Sequence, residues 1–128
     1  MAPSGFVNLY SRDVEAACTF WRDLLGFTET FRTPRDAAPE HVELERDGFL
    51  IGLGSVEAAR RVHGVEAVAG VASFAVVLWV DDVDAESARL LAAGVPLVTP
   101  AHGSGNGNRN ALVHDPDGNL VELVSRTG

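Results

Sequence analysis

A chain of 128 residues, 46 % of them hydrophobic, is the size of one compact domain or of two very small ones sharing a core. Its net charge of −8, with no basic stripe, argues against nucleic-acid binding, and its single Cys18 rules out an internal disulfide framework and suits a reducing cytoplasm. No apolar run approaches membrane-spanning length, and no basic segment followed by an apolar run appears at the start, so a cytoplasmic protein without membrane contact is expected.

Phe6 to Tyr10 alternates as a strand, and Asp13 is placed to cap the helix after it. That helix carries Val14, Ala17, Cys18, Trp21, Leu24 and Leu25 at helical spacing and stops at Gly26. Phe27 to Arg32 reads as a strand, and Thr33 to Glu40, with two prolines, as a loop. His41 to Glu45 and Phe49 to Leu53 are strands joined by an Asp47-Gly48 turn. Gly54 to Ser73 reads as a linker with a short helix around Val56 to Val62, whose Glu57 and Arg61 charges mark a solvated face.

The order then recurs. Phe74 to Val80 is a strand, Asp82 a helix cap, Val83 to Ala93 a helix closed by Gly94, and Val95 to Val98 a short strand. Thr99 to Asn108, with three glycines, is expected to be a loop. It lacks the following helix and the Lys-Ser/Thr pair of a phosphate cradle, and serves either as a rim over a site or as an ordinary hairpin approach. Ala111 to His114 and Leu120 to Val124 are strands flanking Asp115-Pro116-Asp117-Gly118, in which proline pre-sets φ and glycine accepts positive φ.

The halves also match in sequence. Leu9 to Ala16 lies over Leu78 to Ala85 at an offset of 69, and Asp47 to Leu53 over Asp117 to Leu123 at an offset of 70. Two copies of one supersecondary unit are implied. The reading is α+β: tandem βαβββ modules at 1–53 and 74–128, joined by a 54–73 linker into one compact domain, with curved mixed sheets enclosing a cavity. Helices must cover one face of each sheet. Val7, Leu9, Ile51, Leu53, Val76, Leu78, Val80, Ala111, Val113, Val121 and Leu123 form a uniformly apolar set that meets this need. The opposite parity collects Phe6, Asn8, Tyr10, Leu50, Gly52, Ala75, Val77, Trp79, Asn110, Leu112, His114, Leu120 and Glu122. Aromatic rings, amides, a glycine and one carboxylate on one face suit a ligand cavity better than a helix contact. His41 points inward beside Gly52 in this reading, and Trp21 belongs to the core.

The helix end Phe20-Trp21-Arg22-Asp23-Leu24-Leu25-Gly26-Phe27, the Val80-Asp81-Asp82-Val83-Asp84-Ala85 junction and Asp115-Pro116-Asp117-Gly118-Asn119-Leu120-Val121-Glu122-Leu123 resemble the vicinal oxygen chelate superfamily. That superfamily holds glyoxalases, extradiol dioxygenases, fosfomycin-resistance enzymes and bleomycin-resistance binding proteins. The resemblance covers nearly the whole chain and is specific for the fold, far less so for an activity. Its metal-dependent members place His, Gln or Glu at positions that here are Phe6, Gly52, Ala75 and Glu122. With one donor of four, no metal and no other cofactor is expected, since catalytic sites keep about three protein ligands. His41, His63, His102 and His114 show no paired ligand spacing, although His41, His114 and Glu122 leave an off-pattern site open.

The resemblance therefore implies a metal-independent small-molecule-binding protein of the bleomycin-resistance type, a homodimer that sequesters an antibiotic or aromatic metabolite. Phe6 and Trp79 would stack on the ligand, Glu122 would meet a cationic group, and Asn8 and Asn110 would orient it. The alternative is a glyoxalase-like isomerase or lyase with Glu122 as the catalytic general acid/base, assisted by His114 or Tyr10.

Overall fold

The computed structural model describes residues 5–126, and the chain divides near Val71 and Ala72 into two compact units. The first unit holds β1 (Val7–Ser11), α1 (Val14–Cys18), β2 (Thr28–Thr33), β3 (His41–Arg46), β4 (Phe49–Ser55) and α2 (Val56–His63). The second holds β5 (Ala75–Trp79), α3 (Val83–Ala92), β6 (Leu97–Gly103), β7 (Asn108–His114) and β8 (Leu120–Arg126). Each unit builds a four-stranded mixed sheet, in the orders β1-β4-β3-β2 and β5-β8-β7-β6. In each, the first strand pairs in parallel with the last, and the others are antiparallel. The repeat read from the sequence is thus a repeat of topology and of register: Leu9 pairs with Leu53 as Leu78 pairs with Leu123.

Helix starts are fixed by side chains that accept otherwise orphaned N–H groups. Asp13 Oδ1 accepts from Ala16 N and Asp82 Oδ1 from Ala85 N, both at 3.1 Å. Ser55 Oγ does the same for Ala58 N at 3.1 Å, so α2 starts directly where β4 ends. It ends on Gly64 at φ 66°, the left-handed conformation in which Gly64 N and Val65 N close onto the last turn.

The first helix departs from the regular α-helix expected over residues 14–25. From Thr19 to Leu24 it widens into a π-helical stretch, with Leu25 N bonded to Phe20 O. The extra residue per turn buries Phe20 and Trp21 together and leaves Leu24 half-buried. Trp21 then meets Phe20 and Phe27 edge-on, at centroid distances of 5.5 and 5.6 Å.

Further boundaries differ from the sequence reading. β4 runs through Gly54 and Ser55, residues assigned to the linker, and the short helix expected there is α2. β6 spans Leu97–Gly103, where a strand ending at Val98 and a long loop were expected. Pro100 misleads there, but β6 is the edge of its sheet, where a residue without an N–H is tolerated. The loop shrinks to a tight turn in which Asn106 Oδ1 accepts from Ser104 Oγ and Asn108 N, with Gly105 and Gly107 at φ 84° and 86°.

The covered face of the first sheet presents Leu9, Val42, Leu44, Ile51 and Leu53 to Val14, Ala17, Cys18 and Trp21, all buried. In the second unit Val76, Leu78, Ala111, Val113, Val121 and Leu123 are buried with Val83 and Leu90 of α3. Each large side chain so buried contributes about 1.5–3 kcal/mol. Val7 and Val80 are the exceptions to the helix-facing set: Val7 lies at the start of an edge strand and is 50 % exposed, and Val80 lies just past the end of β5 and is half-buried.

Candidate functional site

The opposite sheet faces, turned away from α1 and α3, carry the chemistry. In the first unit one row runs Asn8, Gly52, Glu43 and the next Tyr10, Gly54, His41 across β1, β4 and β3. Gly52 is the floor of this face, and its missing side chain is already replaced. A Cβ built there would lie 2.0 Å from Asn8 Oδ1, 2.7 Å from Phe6 Cε2 and 3.1 Å from His41 Cε1. Any side chain at position 52, a metal-binding one included, would have to displace these three groups.

His41 and Glu43 are two apart on one strand and so share a face. His41 Nε2 lies 2.9 Å from Glu43 Oε2, and the imidazole is flanked by Phe6 and Phe31 at centroid distances of 6.1 and 6.2 Å. Beside them a cleft of about 360 Å³ opens between the sheet and α2. Gly54, Ala58, Ala59 and Val62 form its apolar part, and Asn8, Tyr10, Thr33, His41 and His63 supply polar groups. Glu40, also at this cleft, is ion-paired with Arg61, which Glu57 meets from the same helix.

In the second unit Glu122 stands between Val77 and Leu112 in register and is half-buried. It does not stand alone on this face. Asn110 Nδ2 donates to Glu122 Oε2 at 2.8 Å, an arrangement that leaves Asn110 Oδ1 buried without a donor. Asn110, therefore, and not His114, is the side chain bonded to Glu122; His114 pairs with Leu120 and is exposed. Trp79 is 54 % exposed, and the Arg126 guanidinium lies over its ring at 4.7 Å, a cation–π contact that occupies one face of the proposed stacking surface.

The residues expected to line a site are thus grouped by unit. Phe6, Asn8, Tyr10, His41, Leu50 and Gly52 share the open face of the first sheet. Ala75, Val77, Trp79, Asn110, Leu112, His114 and Glu122 share that of the second. Sequence reasoning missed Glu43, Phe31, Thr33, the α2 wall and Arg126. Glu43 was within reach, because alternation along β3 gives it the parity of His41. The α2 wall was not, since Ala58, Ala59 and Val62 make too short a stripe to assign to a face.

Ionisation elsewhere follows local contacts. Arg32 donates to Glu29 and Glu15, and its hydrogen bond, ahead of charge effects, holds the Glu29 carboxyl below its ordinary range. Burial foremost, with the charge of Glu15 next, pushes the Cys18 thiol up to about 11, which removes it as a nucleophile near neutrality.

A family described as the Glyoxalase/Bleomycin resistance protein/Dioxygenase superfamily matches residues 4–123, nearly the whole chain. This chain belongs to that superfamily. Among solved structures it is similar to a glyoxalase-related enzyme from Fulvimarina pelagi, at 28 % identity and TM-score 0.77 over 98 % of this chain and 89 % of that one. TioX from Micromonospora sp. ML1 is similar at 27 % identity and TM-score 0.78, over 98 % of this chain and all of that one. Lactoylglutathione lyase from Agrobacterium tumefaciens shares the fold at 24 % identity and TM-score 0.74, over 98 % and 96 % of the two chains. No curated protein matches the chain.

Superfamily members that use a divalent ion need a set of side-chain donors, and the residues present here do not fit one. Of Phe6, Gly52, Ala75 and Glu122, one carries a donor atom, and position 52 is filled by its neighbours. Among the described residues no three His, Cys, Asp or Glu groups gather as a metal site. Nor, among these residues, is any helix long and apolar enough to cross a membrane.

Proposed function

We propose that this superfamily member is a metal-independent small-molecule-binding protein that sequesters an antibiotic or aromatic metabolite, acting as a cytoplasmic homodimer. The observation that carries the reading is the packing over Gly52. A metal site that has merely lost a ligand leaves a hole; here Asn8, Phe6 and His41 have closed over the position. Aromatic surface and hydrogen-bonding groups stand where donors would be, a composition suited to holding an organic ligand. On the second sheet Trp79 offers an exposed ring and Glu122 a carboxylate oriented by Asn110 for a cationic group.

The rival is a glyoxalase-like isomerase or lyase using Glu122 as general acid/base. A carboxylate fixed by Asn110 is suited to proton transfer, but its partners in register, Val77 and Leu112, offer no second acid or base. Binding is therefore the better-supported role.

Thermal-shift screening of the purified chain against cationic, aromatic-bearing antibiotics and against glyoxalase substrates tests the choice. Stabilisation by an antibiotic, weakened in Trp79→Ala more than the fold is, is the expected result. Turnover of a hemithioacetal that disappears in Glu122→Gln would establish the rival instead.

A further inference from the structure

Resting on the reading of the chain as a metal-independent binder, we propose that the cleft beside α2 seats a planar compound bearing an acidic phenol or enol hydroxyl, which gives its proton to His41. Glu40 at the cleft is ion-paired with Arg61, and Glu43, outside the cleft lining, is hydrogen-bonded through Oε2 to His41 Nε2. What remains is the second nitrogen of the imidazole. Because a carboxylate accepts and does not donate, the Nε2 facing Glu43 carries the hydrogen, and Nδ1 presents a lone pair with no bond to another described residue.

An acceptor backed by a carboxylate suits an acidic hydroxyl. The ligand's O–H bond breaks, its electron pair stays on oxygen, and the proton forms an N–H bond at Nδ1. The imidazolium so formed lies between the ligand oxyanion and the Glu43 carboxylate, and the total charge of the site is unchanged. Phe6 and Phe31 stand beside the ring as apolar surface for the ligand.

The surroundings define the rest of the ligand. Asn8 Nδ2 lies on the Gly54 side, 3.9 Å from where a Cβ of Gly54 would sit, so its N–H groups are placed for a carbonyl oxygen near the ligand hydroxyl. Gly54, Ala58 and Ala59 carry little or no side chain into the cleft, and about 360 Å³ is the lower end of small-molecule sites, enough for a small ring system. The other titratable groups facing the cleft are Tyr10 from β1, His63 from α2, and Glu40, paired with Arg61.

The test uses 4-nitrophenol, whose phenolate absorbs to the red of the phenol, titrated with the full-length protein in mildly acidic buffer. The bound probe should be about ten-fold or more richer in phenolate than the free probe at the same pH. His41→Gln should abolish that spectral change and Glu43→Gln should diminish it, both variants keeping the wild-type circular dichroism. If His41→Gln fails to fold, Glu43→Gln alone decides. The ether 4-nitroanisole, which has no proton to give, should bind more weakly. A bound probe that stays protonated, an unchanged shift in the variants, ether binding equal to phenol binding, or no binding at all overturns the proposal. A chain stabilised by cationic antibiotics yet indifferent to 4-nitrophenol loses this inference and keeps the sequestering function; one indifferent to both loses both.

Discussion

Gly52 concentrates the functional argument in a single missing methyl group. Glycine in a strand costs about 0.5–1 kcal/mol relative to alanine, so its presence in β4 calls for a compensating use. That use is visible in the side chains of Asn8, Phe6 and His41, which occupy the space above it. Asn8 and Phe6 are exposed, so both can swing away from an added Cβ. Gly52→Ala should therefore change stability in urea by less than about 1 kcal/mol, the strand propensity gained offsetting mild overpacking. Ligand affinity, measured by calorimetry, should fall at least several-fold. Equal affinity in wild type and variant would show that the packing over Gly52 has no part in binding.

Among the elements, the turn between β7 and β8 shows how polar side chains build the scaffold. Asp115 is buried, its Oδ1 accepting from Asp117 N at 3.0 Å and Asn119 N at 2.8 Å, its Oδ2 from Asn119 Nδ2 at 2.9 Å. Asp115→Ala strips three donors of an acceptor, and at about 1–3 kcal/mol for a buried group left unpaired the loss in a urea melt should be about 3 kcal/mol. The Arg22–Glu29–Arg32–Glu15 ion pairs on the first unit set an acid limit. The folded state holds Glu29 below its ordinary value of 4.5, so its stabilising effect is present above that pH and fades as pH falls through the lowered value. Glu29→Gln should flatten the acid limb of a stability–pH profile; an unchanged limb would assign acid sensitivity to other groups. Element order, both caps, the repeat and the buried parity were legible in the sequence, because period and capping chemistry are local. The π-helical widening at Thr19–Leu24 and the extent of β6 were not, since packing of Phe20 with Trp21 and an edge position in a sheet are tertiary facts. Likewise the open-face parity placed Asn110 and Glu122 together, but only the geometry of β7 against β8 shows which side chain reaches the carboxylate.

For the molecule as a whole, two copies of one topology have diverged in opposite directions at matching places. Gly52 and Glu122 occupy the same register position of β4 and β8, one with no side chain and the other with a carboxylate. His41 and Asn110 correspond across β3 and β7, the first bonded to Glu43 and the second to Glu122. Both units thus keep a carboxylate bonded to a nitrogen-bearing side chain on the open face. The net charge of −8 favours solubility and draws cationic ligands toward the protein as a whole. The proposed sequestering function depends on metal independence. Elemental analysis of protein purified without chelator, repeated after dialysis against zinc, nickel, manganese and iron, measures it directly. Far less than one bound ion per chain, and the same content in Glu122→Ala, is the expected result; a stoichiometric ion that disappears in Glu122→Ala would contradict metal independence.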